Sequence, residues 1–546
     1  MENETPLRKE QSIYMTILRN TEEYEREIAL VYQFHKFSYG HLLRRINQFA
    51  RSLLELGYKK DEVITICLPN IPDAVYLVYA VNQIGAIANI LHPLLTPFQV
   101  EETMNITGSK VLFCLDSAYQ SFKVLEKNGV KVFAASPAHE LNVFEKIYYH
   151  HTFKKKIGNI PSKRTITSFY FAKRHYEYDD RFKCDAVYLN SGGTSGKEKI
   201  VALSSYAINA LSFAVPWITH LPNTVGHGMF AVLPMFHGFG LGVGIHFMLS
   251  WGGYDVIMPK FNRDQTIKYI KKGMIKYMIG IPVLYEGLMS KRKFKGKKLR
   301  SIDIAFVGGD FVRSSLISKF NERMAEARSR CRLKEGYGLT ETVCVNAVNT
   351  HYDYKVATSG TAIPGVEFKI VDPNTLKELP RGEEGELLVT GDTMMNGYVF
   401  AEDKDANKKV FVEMDGKKWI RTGDFCSLDE DNFIKFKQRL KNIVKVSGVP
   451  VFPSMIEDCI STFKFVYECA AVGVEDEKHG HIIKLFVTLH REYRGTKEDA
   501  IKLLNDKIVT ELGVYSKPRE VVFLERLPHT PVGKIDVKAL EKGDIK

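Results

Sequence analysis

The sequence predicts an α/β protein: a large N-terminal domain of layered α/β subdomains with a small β-barrel-like subdomain. Between residues 36 and 120, helix-like and strand-like patterns alternate, which implies a layered sheet. Apolar runs ending at Leu189, Leu233 and Val307 give way to glycine or proline, as strands do at the edge of a sheet. From Thr358 to Thr390, short strand-like runs are cut by glycine and proline, which suggests a small barrel-like subdomain.

In chain order, Phe37 to Leu56 carries apolar residues at helical spacing and stops at Gly57. Val63 to Leu68 is strand-like and ends at Pro69. Ala74 to Gly85 is an apolar helix, and Val111 to Cys114 a further strand. A chain of 546 residues exceeds one ordinary domain and supports a large core. Hydrophobic content of 45% and charged content of 26% suit a globular protein.

No Asp, Glu, Lys or Arg occurs between Lys199 and Asp255. This run is the one candidate for a membrane span. Pro216, Pro222, Pro234 and many glycines break it, so it reads as buried strand and helix of a soluble core. The charged N-terminus lacks the apolar stretch of a signal peptide. Eight cysteines without a C-x-x-C pair argue against zinc and disulfides and fit a reducing, cytoplasmic setting. The net charge of +12 comes with no nucleic-acid-reading motif, which speaks against such a partner. In residues 145–183, Lys146, Lys154–Lys156, Lys163 and Arg164 interleave with Tyr148, Tyr149, Phe153 and Phe169. A basic surface connection is the favoured reading, and a peripheral membrane contact the alternative.

Ser191-Gly192-Gly193-Thr194-Ser195-Gly196 follows the apolar run Asp185–Leu189 and leads to Lys199. Glycines let backbone N–H groups approach an anion, hydroxyls add donors, and lysine adds charge. The pattern G-x-x-x-x-G-K-[ST] does not fit, because Ser191 and Glu198 stand at two of its fixed positions. The loop instead resembles the phosphate loop of the adenylate-forming superfamily, which unites acyl-CoA synthetases, luciferases and peptide-synthetase adenylation domains. Ile200 departs from its closing glycine.

Further motifs carry the same resemblance in the same order. Leu233-Pro234-Met235-Phe236-His237 matches L-P-x-F-H. Gly308-Gly309 follows a strand, with Asp310 where a small residue is common. Glu335-Gly336-Tyr337-Gly338-Leu339-Thr340-Glu341-Thr342 matches G-Y-G-x-T-E-[TS], and Thr422-Gly423-Asp424 matches T-G-D. Gly397-Tyr398 matches a further landmark. Gln438-Arg439-Leu440-Lys441 resembles the hinge, and Pro528 to Ile535 matches P-x-T-x-x-G-K-[IV].

The resemblance implies a domain at 1–440 and a small mobile α+β lid at 441–546, turning about Lys441. It implies that a carboxylate attacks the α-phosphate of MgATP and that a thiol, that of coenzyme A, takes the acyl group from the adenylate. Lys534 would hold the carboxylate and α-phosphate oxygens. Ser191, Gly192, Gly193, Thr194, Ser195, Gly196 and Lys199 would hold the phosphates. Gly309, Glu335, Gly336 and Tyr337 would border adenine, Thr340 the α-phosphate, Glu341 Mg²⁺, and Asp424 and Arg439 the ribose. His237, Phe239 and Gly308 would border the acyl group, and Lys445, Ser447 and Gly448 the thiol. Amino-acid-activating relatives carry Asp where His237 stands, so the resemblance implies an acid without an α-amino group. Phe236, Phe239, Ile281 and the glycines at 238, 240, 308 and 309 suggest a narrow apolar cleft. A fatty acid is the leading substrate, an aryl acid the second. An acyl carrier protein as acceptor remains open, as does a non-catalytic nucleotide-binding protein.

Overall fold

Apolar runs without alternation form strands buried on both faces. The computed structural model describes residues 9–166, 177–191, 199–220, 224–309, 312–399, 405–476, 480–529 and 535–543. Val63–Cys67, Ile87–Ile90, Val111–Leu115, Lys131–Ala135 and Asp185–Ser191 pair in parallel. Lys199–Ser204 and Gly397–Val399 join them antiparallel, completing a seven-stranded sheet. In a second sheet, Ile28–Tyr32, Tyr254–Ile257, Gly228–Ala231, Tyr277–Gly280, Ile304–Val307 and Leu333–Tyr337 run parallel. The helix Pro72–Gln83 is buried at every residue and shares one core with both sheets. A helix that is apolar all round needs such a place.

The helix expected from Phe37 starts at Tyr39, because the Ser38 side chain caps it by accepting the His41 N–H. His35–Ser38 forms an edge strand instead. Most of the described residues of the charge-free run are buried, and Phe239–His246 winds as a π-helix. Its glycines let it pack: a Cβ on Gly240 would come within 2.0 Å of the Pro234 carbonyl oxygen. His246 Nδ1 accepts the Tyr79 hydroxyl at 3.0 Å, and its Nε2–H donates to Asn209 at 2.9 Å. Burial pulls its pKa down to about 3, so the ring is neutral. Among the described residues no helix is long and apolar enough to cross a membrane.

The barrel-like part is a curved antiparallel sheet built on the long strand Lys417–Leu428. One side of that strand pairs with Glu384–Gly391. The other side pairs first with Phe411–Met414 and then with Ile434–Arg439. Register shifts at 386–388 and 425–426 bend it. After the turn Leu440–Asn442, a separate five-stranded sheet with the helices Pro453–Ser461 and Lys497–Leu512 has its own apolar core. This is the small α+β unit that the sequence predicts.

Asp255, on the strand Tyr254–Ile257, buries both carboxylate oxygens with no hydrogen-bond donor. Burial drives its pKa far above the usual range. Below about pH 4 both folded and unfolded chains hold the proton, and no stability is lost. As the pH rises further, unfolding releases the proton and stability falls. Asp255→Asn removes this dependence. Thermal melts of the two proteins should coincide at low pH and separate by a few degrees above neutrality, the variant melting higher. A gap of constant size across pH would contradict a buried neutral carboxyl.

Candidate active site

Ligands of open α/β sheets gather at the carboxyl ends of the strands, and here those ends open into a cleft. Antiparallel register places Asp424 opposite Arg439. The Tyr337 hydroxyl, at the end of Leu333–Tyr337, donates to Asp424 Oδ2 at 2.6 Å. Arg439 Nε stands 3.0 Å from Oδ1 but off the line of a hydrogen bond, so this buried oxygen has no donor. Burial pushes the Asp424 pKa up, while Arg439 and Tyr337 pull it back. The Tyr337 ring faces Phe436, with centroids 6.3 Å apart. Phe436 also lines the cleft, and the motifs did not reveal it.

Ser191 and Lys199 lie opposite one another at the ends of paired strands. The loop between them, with Gly192, Gly193, Thr194, Ser195 and Gly196, lies outside the described residues. Lys199 Nζ sits 4.6 Å from the centroid of the Tyr398 ring. The Tyr398 hydroxyl donates to Glu341 Oε1 at 2.8 Å, and the Met395 N–H to the Glu341 carbonyl at 2.8 Å. Motif reading noted Tyr398 as a landmark but gave it no role. Thr340 opens the short turn Thr340–Thr342. Immediately after it, Val343 adopts φ +61° and Cys344 φ +120°. A β-branched residue there is strained. The crowding also explains Gly338, where a Cβ would fall 0.9 Å from the Cys344 carbonyl oxygen.

A second, apolar cleft meets the first. Phe239, Gly308, Phe306, Tyr277 and Cys344 line it. Gly309, Gly336, Tyr337 and Gly338 face both clefts and form their shared wall. The expected lining is corrected in part. Phe236 packs its ring between His92 and His237, at 4.5 and 4.6 Å, and does not line the cleft. Gly238 and Gly240 are needed for backbone packing on Val343 and Pro234. His237 stands exposed in the turn after the strand, its N–H donating to the Pro234 carbonyl. Neither it nor Ile281 is on the apolar wall.

The C-terminal unit closes the polar cleft. Arg313 donates to the Cys469 carbonyl at 3.3 Å, and Ser454 to the Lys437 carbonyl at 2.8 Å. Phe425 stacks on Phe452. Lys441, Val537 and Glu541 share the wall with Asp424 and Glu335. Burial lowers the Lys441 pKa, and Arg439 adds to the effect. Lys445, Ser447 and Gly448 are exposed on the hairpin Val444–Val451 and are not brought to the cleft. Residues 530–534, including Lys534, lie outside the described residues, as does Asp310.

A cleft of this kind, with two lobes meeting over a buried carboxylate beside an apolar pocket, defines an adenylate-forming α/β protein. The chain belongs to the family of AMP-binding enzymes: residues 17–399 match that family and residues 455–534 its C-terminal domain. The chain is 28% identical over 533 residues to the long-chain-fatty-acid–CoA ligase of Salmonella typhimurium, covering 94% of this chain and 91% of that one. It is 27% identical over 503 residues to a 4-coumarate–CoA ligase of Humulus lupulus, covering 90% and 86%. ATP-bound MatB from Rhodopseudomonas palustris shares the fold, with a TM-score of 0.83 at 21% identity over 97% of this chain and 98% of that one. A benzoate CoA ligase from Burkholderia xenovorans gives 0.79 at 21% identity over 97% and 99%.

Glu335 lies where the two lobes meet. Burial, aided by the Asp458 carboxylate on the C-terminal unit, pushes its pKa up to about 8. The neutral form therefore suits the closed arrangement, which weakens as the pH rises from the ordinary carboxylate range toward that value, because over that span only the open form gives up the proton. Small-angle scattering should register an expansion of the wild-type protein as the pH rises from the ordinary carboxylate range to about 8, with little further change beyond it. Glu335→Gln should stay compact throughout. Equal expansion of both proteins would remove Glu335 from this contact.

Proposed function

We propose that this chain is an ATP-dependent acid–thiol ligase that activates an apolar carboxylic acid as its acyl-adenylate and passes it to coenzyme A. The meeting of the two clefts carries the reading. A nucleotide seated against Asp424 and an acid seated beside Gly308 would bring α-phosphate and carboxylate together at Gly309 and Gly336–Gly338. The catalytic task is positioning and charge stabilisation.

Asp424 Oδ1, buried without a donor, accepts a ribose hydroxyl, and Arg439 flanks it. Tyr337 and Phe436 offer faces to the base. Thr340 reaches the α-phosphate. Ser191, Lys199 and the glycine-rich loop between them hold the departing pyrophosphate. Glu341 is suited to Mg²⁺, since Tyr398 engages Oε1 and leaves a second hard oxygen. Bound there, the ion would neutralise phosphate charge. Lys534 enters from the C-terminal unit, which divides from the rest at residues 440 and 441. Val537 and Glu541, just past it, already line the cleft, which favours this placement. The exposed Lys445, Ser447 and Gly448 reach the site only after the unit turns about Lys441. The acid is a fatty acid first and an aryl acid second, in a cytoplasmic enzyme. The apolar wall of Phe239, Phe306 and Val345 supports both, and the relatives include both classes.

Three measurements test this. Pyrophosphate release with ATP should appear with medium- or long-chain fatty acids and stay at background with free amino acids; robust release with an amino acid alone would refute the reading. Glu341→Gln should raise the magnesium requirement and slow adenylation, and an unchanged magnesium titration would reject the metal assignment. In single-turnover kinetics, Lys534→Ala should slow acyl-adenylate formation by roughly 10²–10³ yet still convert supplied acyl-adenylate to thioester. Lys441→Pro should do the reverse, because proline fixes φ where the chain must turn. Equal loss of both half-reactions in both folded variants would end the case for alternation.

A further inference from the structure

The helix Val143–Ile157 starts in a capping box: Asn142 accepts the Glu145 N–H, and Glu145 accepts the Asn142 N–H. One face is seated on the protein. Glu145 pairs with His35 at 2.7 Å, Tyr149 donates to Asp116 at 2.8 Å, and Ile157 is buried. The opposite face carries Val143, Phe144, Ile147 and Tyr148, all exposed, Phe144 by 84%. A surface helix ordinarily turns polar residues outward. Further along that face come His151, Lys154 and Lys155, and it bears no acidic side chain, Glu145 being turned to His35.

A second apolar point lies on the same edge of the sheet. Ile87–Ile90 and Lys131–Ala135 run in the same direction, with two strands between them. The segments that follow both strands therefore leave at one edge, about 14 Å apart. The first carries Leu94 and Phe98, exposed by 78% and 74%. The second leads into the helix, which is about 22 Å long. Exposed apolar groups at two points of one edge, with a cationic stretch free of acid further along the face of the helix Val143–Ile157, match a flat anionic surface better than a protein groove, although Glu101 and Glu102 follow Phe98 in the helix Pro97–Thr107.

We propose that this helix and the 94–98 segment form a docking surface for an anionic lipid bilayer. Phe144, Ile147 and Phe98 enter the boundary between headgroups and acyl chains, while Lys154 and Lys155 hold headgroup charge.

Sedimentation of the full chain with vesicles tests this directly. The protein should pellet with phosphatidylcholine vesicles containing phosphatidylglycerol and stay in solution with phosphatidylcholine alone. Phe144→Glu combined with Ile147→Glu should lower partitioning at least tenfold. Lys154→Gln and Lys155→Gln should each lower it about fivefold. These side chains are exposed, so the variants should keep the wild-type melting temperature. Phe144→Trp supplies a separate readout: its emission should move to shorter wavelength with the anionic vesicles alone. Absence of binding to either vesicle, equal binding to both, or binding retained by the Phe144/Ile147 variant would overturn the proposal.

Discussion

The buried carboxylate of Asp424 holds the cleft together. It sits on the bent strand of the barrel-like sheet, takes the Tyr337 hydroxyl from the large parallel sheet, and faces Arg439 across its own sheet. Burying an ionisable group is costly unless it is paired. Tyr337 and Arg439 offset that cost incompletely, because Oδ1 keeps no donor. The polar cleft is thus built with an unmet acceptor, which a diol would satisfy. The same contact fixes Tyr337, and Tyr337 belongs to the wall shared with the apolar cleft.

Glu341 is held in a comparable way from outside its own motif. Tyr398 reaches it from the strand Gly397–Val399, which pairs with Lys199–Ser204 and so brings Lys199 to the ring. A cation, an aromatic hydroxyl and a carboxylate from three parts of the chain meet in one small region. The strained turn at Val343 and Cys344 follows directly, and Gly338 is small enough to admit it. Strain kept next to a functional loop is the common pattern.

The C-terminal unit adds a further wall to the polar cleft. Its core is its own, and among the described residues its contacts with the rest include polar links from Arg313, Ser314 and Ser454 and the stack of Phe425 on Phe452. An interface of this kind suits separation and return. The side of the unit turned to the cleft carries Val537 and Glu541, while the hairpin with Lys445 and Gly448 faces solvent.

The sequence by itself determined the α/β layers, the family and the motif residues, because strand–helix alternation and motifs such as Gly336-Tyr337-Gly338 depend on local order along the chain. It marked Asp424 and Arg439 individually. Only the tertiary structure decided what surrounds them. Strand register set Asp424 against Arg439, and side chains distant in sequence, Tyr398 and Phe436, completed the site. It also decided which apolar residues line the cleft: Phe236, Gly238 and Gly240 look like lining in sequence, yet packing against His92, Val343 and Pro234 consumes them. A residue's type travels with the chain, whereas the direction of its side chain is set by neighbours far away in sequence.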